Sequence, residues 1–525
     1  MLLTFVDQYF SYLSIDQSSV MNVNVPTTIS VPSIRVSSLN QEAVQVEGNY
    51  VLYWMVAQRR LTWNFALQRA VEWSQKLSKP LIIFEPLRIA YPWANARLHH
   101  FIIEGMRDNF QKAKELGVSY YPYIEKKKDE GKGLLAAFCH QACVVVTDEY
   151  PCYFIPRMTS AAAQRASVLF EQVDSNGLLP LRASGRVFTT AASFRRHLQK
   201  TLLPYFATDQ FPKMSPLAEY RQPSAVIPNE ITKQPKWSPA NPNEFLGDGL
   251  QSLDLDHSVV PCDEGGAVAA QKRLNKFLDA RLHRYHYDRN ALEGGAASGL
   301  SAHLHFGHLS VHEVAQKVFE SCQWSPQNVA PKPSGSREGW WGASKAVEAF
   351  IDELVTWREI GFTFCFHRLA DYDQFSSLPE WAQKTLMDHA HDERPYIYSL
   401  EQFESASTHD PLWNAAQTQL LREGRIHNYV RMLWGKKILE WTPSPQVALD
   451  YMTHLNNKYA LDGRDPNSYS GIYWCLGRFD RAWGPERPIF GKIRFMSSDS
   501  TMRKLKAKGY VQKYSKLTEY PDLFA

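Results

Sequence analysis

Three short apolar runs, Val51-Leu-Tyr-Trp-Met-Val56, Pro80-Leu-Ile-Ile-Phe84 and Ala142-Cys-Val-Val-Val-Thr147, limit most tightly what this chain can fold into. Each is continuous rather than alternating. A strand of that kind needs cover on both faces, which is the pattern of a parallel sheet buried between helices. The amphipathic stretches Trp63 to Leu77 and Leu98 to Leu116 supply such helices. The expectation is an α/β N-terminal domain over residues 46–180, a doubly wound, Rossmann-like parallel sheet, preceded by an extension over 1–45 that is a candidate for disorder. Sheets of this type bind ligands at the carboxyl ends of their strands, here near Ala57, Glu85 and Asp148. No Gly-x-Gly-x-x-Gly follows any of them, which argues against an ordinary dinucleotide site.

A proline-rich stretch over 181–264, with Pro204, Pro212, Pro216, Pro223, Pro228, Pro235, Pro239 and Pro242, reads as a linker that is largely loop. From Ala267 onward helical periodicity dominates, so residues 265–525 are expected to form a larger all-α domain. The 525 residues exceed what one core usually serves. A net charge of only +4 confines any nucleic-acid contact to local clusters. Seven scattered cysteines without a Cys-x-x-Cys pair point to reduced thiols rather than disulfides, an iron–sulfur cluster or a cysteine zinc site. No apolar run is long enough for a membrane span, and the first 20 residues lack a secretory pattern. Met21 is an alternative start. The expected setting is the cytoplasm or nucleoid, or the nucleus or an organelle in a eukaryotic host, and the expected state is a monomer.

Several constellations carry chemistry. Trp434 and Trp441 stand seven residues apart in Tyr429-Val-Arg-Met-Leu-Trp434-Gly-Lys-Lys-Ile-Leu-Glu-Trp441, on nearly one face of a helix, and Trp413 can join them from a preceding helix. Such spacing serves a core as readily as an electron route. Ser298-Gly299-Leu300-Ser301 follows a glycine-rich patch and opens a helix, either as a cap or as an anion cradle. Glu353 and Trp357 lie at i and i+4, either a surface acid beside a core ring or one wall of a pocket for flat bases. Arg431 and Asp462 are available for a structural ion pair. His303, His305 and His308 do not share one helical face, so they are read as structural and no metal is assigned. The C-terminal cations Lys492, Arg494, Arg503, Lys504, Lys506, Lys508, Lys513 and Lys516 are interleaved with Phe490, Phe495, Tyr510 and Tyr514, as a solvated face or a nucleic-acid groove.

The vocabulary around these residues, His454-Leu-Asn456-Asn-Lys-Tyr, Leu461-Asp462-Gly-Arg-Asp-Pro-Asn467, Gly471-Ile-Tyr-Trp474 and Arg487-Pro-Ile-Phe-Gly-Lys-Ile-Arg494, resembles the flavin domain of class II cyclobutane pyrimidine dimer photolyases from about Arg281 to Lys513. That resemblance implies an FAD-binding helical domain and a carbon–carbon lyase acting on damaged DNA, in which excited reduced flavin donates an electron to a flipped-out dimer. It implies flavin contacts from Tyr285, Ser298, Gly299, Leu300, Ser301, Arg358, Arg431, Asp462, Asn456 (facing flavin N5) and Asp480. It further implies lesion contacts from Glu353, Trp357, Met432 and Trp474, with Trp357 and Trp474 as two walls, and DNA contacts from Arg481, Trp483 and Arg494. Trp434, Trp441 and Trp413, in that order outward, would form the photoreduction route. Class II relatives often hold a second, deazaflavin-type antenna chromophore in the α/β domain, and no residue here is matched to it.

The chain departs from the family pattern at Gly361-Phe-Thr-Phe364, at His427-Asn428-Tyr-Val-Arg431, at Gly299 and Ala302, and at Arg60-Leu-Thr-Trp63-Asn64. Two rival readings stand beside repair. One is a cryptochrome-like blue-light photoreceptor with the same flavin fold; the other is a light-independent flavoprotein or nucleic-acid-binding module. Retention of Glu353, Trp357, Met432 and Trp474 favours repair over the first.

Overall fold

The computed structural model describes residues 30–515. Six strands form one sheet: β1 (Val36–Ser38), β2 (Tyr50–Trp54), β3 (Leu81–Leu87), β4 (Ser119–Ile124), β5 (Ala142–Asp148) and β6 (Phe170–Val173). Their order is β1-β6-β5-β2-β3-β4, parallel throughout except for β1, which runs antiparallel to β6. The three apolar runs are β2, β3 and β5, the middle of the sheet. Every residue of β2 and β5 is buried, which is why those runs carry no polar alternation. The chain adds strands outward from β2 on one side, then returns to β5 on the other. The strand order thus reverses beside β2, where an open α/β sheet leaves a crevice at its carboxyl edge.

Helices cover the two faces: α1 (Phe65–Leu77), α2 (Ala96–Leu116), α3 (Leu134–Cys139) and α4 (Ile155–Ala163). Asn64 starts α1 by accepting the N–H groups of Ala66 and Leu67, while its amide nitrogen donates to Tyr53 Oη and to the carbonyls of Gln58 and Arg60. Asp148, at the end of β5, accepts from the N–H groups of Val56, Ala57 and Gln58 at 2.8–2.9 Å and from the Tyr53 hydroxyl at 2.8 Å. One buried carboxylate therefore satisfies three backbone donors that leave the sheet, and it fixes the loop after β2.

Part of the region read as an extension is folded. Residues 36–38 add a strand to the sheet, and Arg35 is fully buried, donating to the carbonyls of Asp174, Gly177 and Leu178. Residues 1–29, which include Met1 and Met21, and residues 516–525, which include Lys516, lie outside the described part. The proline-rich stretch contains a helix that its composition concealed, α5 (Ala191–Thr201), capped by Thr190. Beyond it the described chain is helical, with no strand after β6. The fold class read from the sequence, an α/β sheet domain followed by a larger helical one, is borne out.

Candidate functional site

A cavity of about 170 Å³ opens among the helices after residue 280, lined by Tyr285, Ser298, Leu300, Ser301, Glu353, Arg358, Arg431 and Asp462, together with Leu304, Phe350, Leu354, Asp465, Asn467 and Ser468. Most of the residues matched to flavin contacts therefore share one wall system. Gly299 sits in the same turn with φ +70, and its carbonyl accepts from Arg273 at 3.2 Å. The helix that follows, Ser301–His305, is only five residues long. Its macrodipole is correspondingly small, so an anion there would depend on the Ser298 and Ser301 hydroxyls and the free N–H groups.

Arg431 reaches Asp462 at 3.3 and 3.4 Å, while its buried Nε has no partner. Asn456 is buried behind Ser468, to which its amide nitrogen donates at 2.9 Å. Ser468 Oγ donates its only proton to the Asp462 carbonyl at 2.8 Å, so toward Asn456 it can only accept. That chain fixes the amide nitrogen toward Ser468 and leaves Oδ1 of Asn456 with no hydrogen bond among the described residues.

Asp480 does not belong to this cavity. It accepts from Arg494 at 2.8 and 3.0 Å and from the Trp483 indole at 3.2 Å. Burial opposes its ionisation, and those donors more than offset it, holding the carboxyl below its ordinary value. The place near the flavin that the resemblance implied for Asp480 is thus corrected. The residue braces Arg494 and Trp483 instead, in the segment that follows the helix Pro466–Cys475.

The helix carrying Glu353 and Trp357 is not uniform. α-Helical Lys345–Ile351 passes into a π segment, Asp352–Trp357, and then into α-helical Arg358–His367. The i, i+4 pair still shares a face, in a widened turn of the kind that recurs at functional sites. The segment is braced by Asp352, whose buried carboxylate takes Arg195 Nε at 2.6 Å and Nη2 at 2.9 Å from α5. Arg289 donates to Glu353 at 2.5 Å. Loss of solvent nonetheless outweighs the Arg289 cation and raises the Glu353 carboxyl above its ordinary value.

Trp357 and Trp474 do not stand apart as two walls. Their ring centroids are 5.2 Å apart at 35°, so they touch and form one continuous aromatic wedge. Beside it, Met432 lines a second cleft of about 360 Å³ with Tyr429, Trp483, Arg487 and Arg494. Trp483 lies between two guanidinium groups, Arg481 at 4.6 Å and Arg494 at 4.3 Å, and Arg494 also reaches over Trp474 at 5.9 Å. Phe495 also lines this cleft, with Arg487 4.8 Å over its ring, whereas the remaining aromatics of the C-terminal region serve packing. Tyr510 and Tyr514 are buried against the helix Pro411–Glu423, bonding to Gln419 and Glu423, and Phe490 is buried as well.

Trp413, Trp434 and Trp441 are all buried, but their order differs from the expected one. Trp413 is the middle ring, 6.5 Å from Trp434 in a parallel arrangement (5°) and 6.2 Å from Trp441 at 66°. Two helical turns leave roughly 10 Å between Trp434 and Trp441, and Trp413 fills that gap from the neighbouring helix. Its indole N–H donates to the Trp434 carbonyl at 3.0 Å. Trp434 stands one turn beyond the cavity-lining Arg431.

Sequence reasoning passed over Asp465, Asn467 and Ser468. Asp465 caps the helix Pro466–Cys475 by accepting from Asn467 N–H, and it receives the Tyr150 hydroxyl at 2.9 Å and His305 Nδ1 at 3.2 Å. The cap-plus-proline signature Asp465-Pro466 was the signal available for it. His308 accepts from the Gly266 N–H at 2.9 Å. Among the described residues no cluster of His, Cys, Asp and Glu is arranged to hold a metal ion, and no helix is long and apolar enough to cross a membrane.

A much larger cavity, about 740 Å³, lies at the carboxyl ends of β2 to β5. Trp54, Phe84, Tyr91, Tyr123, Tyr150 and Phe154 line it, and His305 and Phe306 close it from the helical side.

No family model matches the chain. Curated relatives do. A deoxyribodipyrimidine photo-lyase of Methanothermobacter thermautotrophicus is 35% identical over 484 residues, 91% of this chain and 97% of its own length. The Arabidopsis thaliana protein of that name is 32% identical over 92% of this chain and 93% of its own, and the Potorous tridactylus protein 33% identical over 92% and 84%. Among solved structures, a class III photolyase from Agrobacterium tumefaciens aligns with TM-score 0.61 at 17% identity, covering 89% of this chain and 86% of that one. A Synechocystis cryptochrome aligns with TM-score 0.63 at 15% identity, covering 89% and 88%. These two likenesses speak for the fold alone.

Proposed function

The chain belongs to the deoxyribodipyrimidine photo-lyases, and on that premise we propose that it is a class II enzyme repairing cyclobutane pyrimidine dimers in DNA with light and a reduced FAD held in the helical cavity. When bound, the flavin supplies the photoexcited electron that opens the cyclobutane ring and is then returned. The residues present fit such a group. Arg431 keeps a buried, unpartnered Nε beside Asp462, and Asn456, which bonds to the cavity-lining Ser468, keeps an amide oxygen without a hydrogen bond among the described residues. An acceptor oxygen there suits a ring N–H, and the Ser298 and Ser301 hydroxyls suit phosphate oxygens.

One observation carries the reading. Glu353 lines the cavity that Arg358, Arg431 and Asp462 share, and it stands one turn from Trp357 in the same π segment. A dimer resting on the Trp357 and Trp474 wedge would lie directly over the cavity, with the Glu353 carboxyl at its edge. Burial raises that carboxyl against the pull of Arg289, the direction that would favour a proton shared with a pyrimidine carbonyl and so negative charge there. The Arg481, Trp483 and Arg494 stack offers cations for phosphates and a flat ring for the gap left in the duplex. Trp434, Trp413 and Trp441 supply, in that order, a buried aromatic path from the cavity's edge outward.

The cavity at the strand ends supports a second, planar chromophore of deazaflavin type, because its lining is largely aromatic and apolar. Light-dependent loss of dimers from an oligothymidylate, measured for wild type beside Glu353→Ala, tests the central reading. Strong repair by wild type and weak repair by the variant is expected; equal activity would contradict the role given to Glu353.

A further inference from the structure

Between the helices Val311–Ser321 and Lys345–Ile351 the chain makes a long excursion that none of the roles above uses. Its base is a hydrophobic knot. Trp324 stacks on Phe319 at 4.1 Å and donates to the Trp341 carbonyl at 2.6 Å, Ala330 N–H donates to the Trp340 carbonyl at 2.8 Å, and Trp340 and Trp341 are buried. Its tip, residues 331–339, is polar, and α5 holds it from two sides. Gln199 accepts the Gly335 N–H at 2.6 Å and donates to the Ser336 carbonyl at 3.0 Å, while Arg196 donates to the Ser334 carbonyl at 3.2 Å. Gly339 N–H is taken by the buried Glu348 at 2.6 Å. The tip is therefore an anchored strap, fixed on both sides of Arg337.

Arg337 uses that anchorage in an unusual way. Its guanidinium lies 5.9 Å over the ring of Trp357, and among the described residues it has no carboxylate partner and no hydrogen bond. Its charge also reaches Glu353, where it acts with Arg289 against the loss of solvent. The buried pair Arg195 and Asp352 ties α5, which holds the strap, to the π segment that carries Trp357. A cation with all its N–H donors unused thus stands at the rim of the aromatic wedge, on backbone anchored to either side of it. The strap and α5 also expose the cations Lys332, Arg196 and Lys200 and the anion Glu338.

We propose that Arg337 is a DNA-contacting residue that takes the phosphodiester of the dimer-bearing strand once the damaged dinucleotide has left the duplex. A base seated on Trp357 brings its own phosphate to this rim, and a guanidinium fork matches phosphate oxygens in geometry and charge. The contact forms only after extrusion, so it discriminates damaged from undamaged DNA without reading a base. The inference rests on the proposed function, since it presumes that a pyrimidine dimer occupies the wedge.

The test is equilibrium binding of the full chain, in the dark, to a duplex with one thymine dimer and to the same duplex undamaged, at several salt concentrations. Arg337→Ala should bind the damaged duplex about five- to tenfold more weakly and lower its salt slope by about 0.7–0.9, the counterions released by one phosphate contact. Undamaged duplex should bind unchanged. Arg337→Lys should retain the slope, and Gln199→Ala, which frees the strap, should fall between wild type and Arg337→Ala. Arg337 is exposed, so an unchanged melting temperature should accompany the loss. Equal binding by Arg337→Ala and wild type, or an equal loss on both duplexes, overturns the assignment while the function stands. A wild type without preference for the damaged duplex overturns the function and this inference together.

Discussion

Removing the indole of Trp357 should cost binding of damaged DNA far more than any other property of the protein. The ring touches Trp474 at 5.2 Å and has the exposed Arg337 guanidinium 5.9 Å over it, but it is only partly buried, so a base that moves the Arg337 side chain aside can stack on it. A base stacked on an aromatic side chain contributes about 1–3 kcal/mol by alanine substitution. The contact with Trp474 is already made in the DNA-free protein and adds nothing to that difference. Trp357→Ala should therefore weaken binding of a dimer-containing duplex by about 1–3 kcal/mol, roughly 5- to 150-fold in Kd. The assay is fluorescence anisotropy of a labelled duplex in the dark, with undamaged DNA of the same sequence as the reference. Trp357→Phe, which keeps a flat ring, should stay within a few-fold of wild type. A loss below about threefold in Trp357→Ala, or an equal loss on undamaged DNA, would refute the wedge as the dimer's seat.

Glu359 is buried, accepting from the N–H groups of Leu178 and Leu179, and burial pushes its carboxyl up to about 7 from 4.5. Between those values the native protein holds a proton that the unfolded chain has released. Stability should therefore fall as pH rises through that window, by up to roughly 3 kcal/mol, and Glu359→Gln should flatten the melting temperature profile; an unchanged profile would count against it. Glu149, also pushed up to about 7 chiefly by burial, acts in the same direction and accounts for the slope that remains. Trp413→Phe interrupts the middle of the tryptophan path, so reduction of bound flavin by light and an external thiol should slow severely, while chemically reduced protein repairs as wild type does. Unimpaired photoreduction in that variant would remove the path. Ser468→Ala releases the Asn456 amide and should loosen flavin retention, with Ser468→Thr restoring it; equal retention in both variants would show that the hydroxyl does not set the amide.

The central strands were legible because β2, β3 and β5 are buried on both faces and leave an unbroken apolar trace. The flanking strands left no such trace. β4 contains Pro122 and three tyrosines, and β6 spends Glu171 on Arg69 and Trp73 rather than on packing. β1 is three residues at a sheet edge. In the helical part, helix periodicity put Trp434 and Trp441 on one face but could not reveal that Trp413 enters between them from another helix. The π segment is braced by Arg195, some 157 positions away from Asp352, a contact that no local pattern announces. Asp480 and Tyr510 illustrate the same limit, since each sits in a motif of suitable composition and is claimed by a distant partner.

Repair by this protein is read most directly from one optical measurement. Purified protein carrying reduced flavin is mixed with an oligothymidylate containing cyclobutane dimers and illuminated with blue or near-ultraviolet light, and the thymine absorbance band is followed. Absorbance should return in the light and not in the dark, with the flavin spectrum the same before and after. Protein that binds both flavin and the damaged strand yet leaves the thymine band unchanged under illumination would contradict the proposed repair.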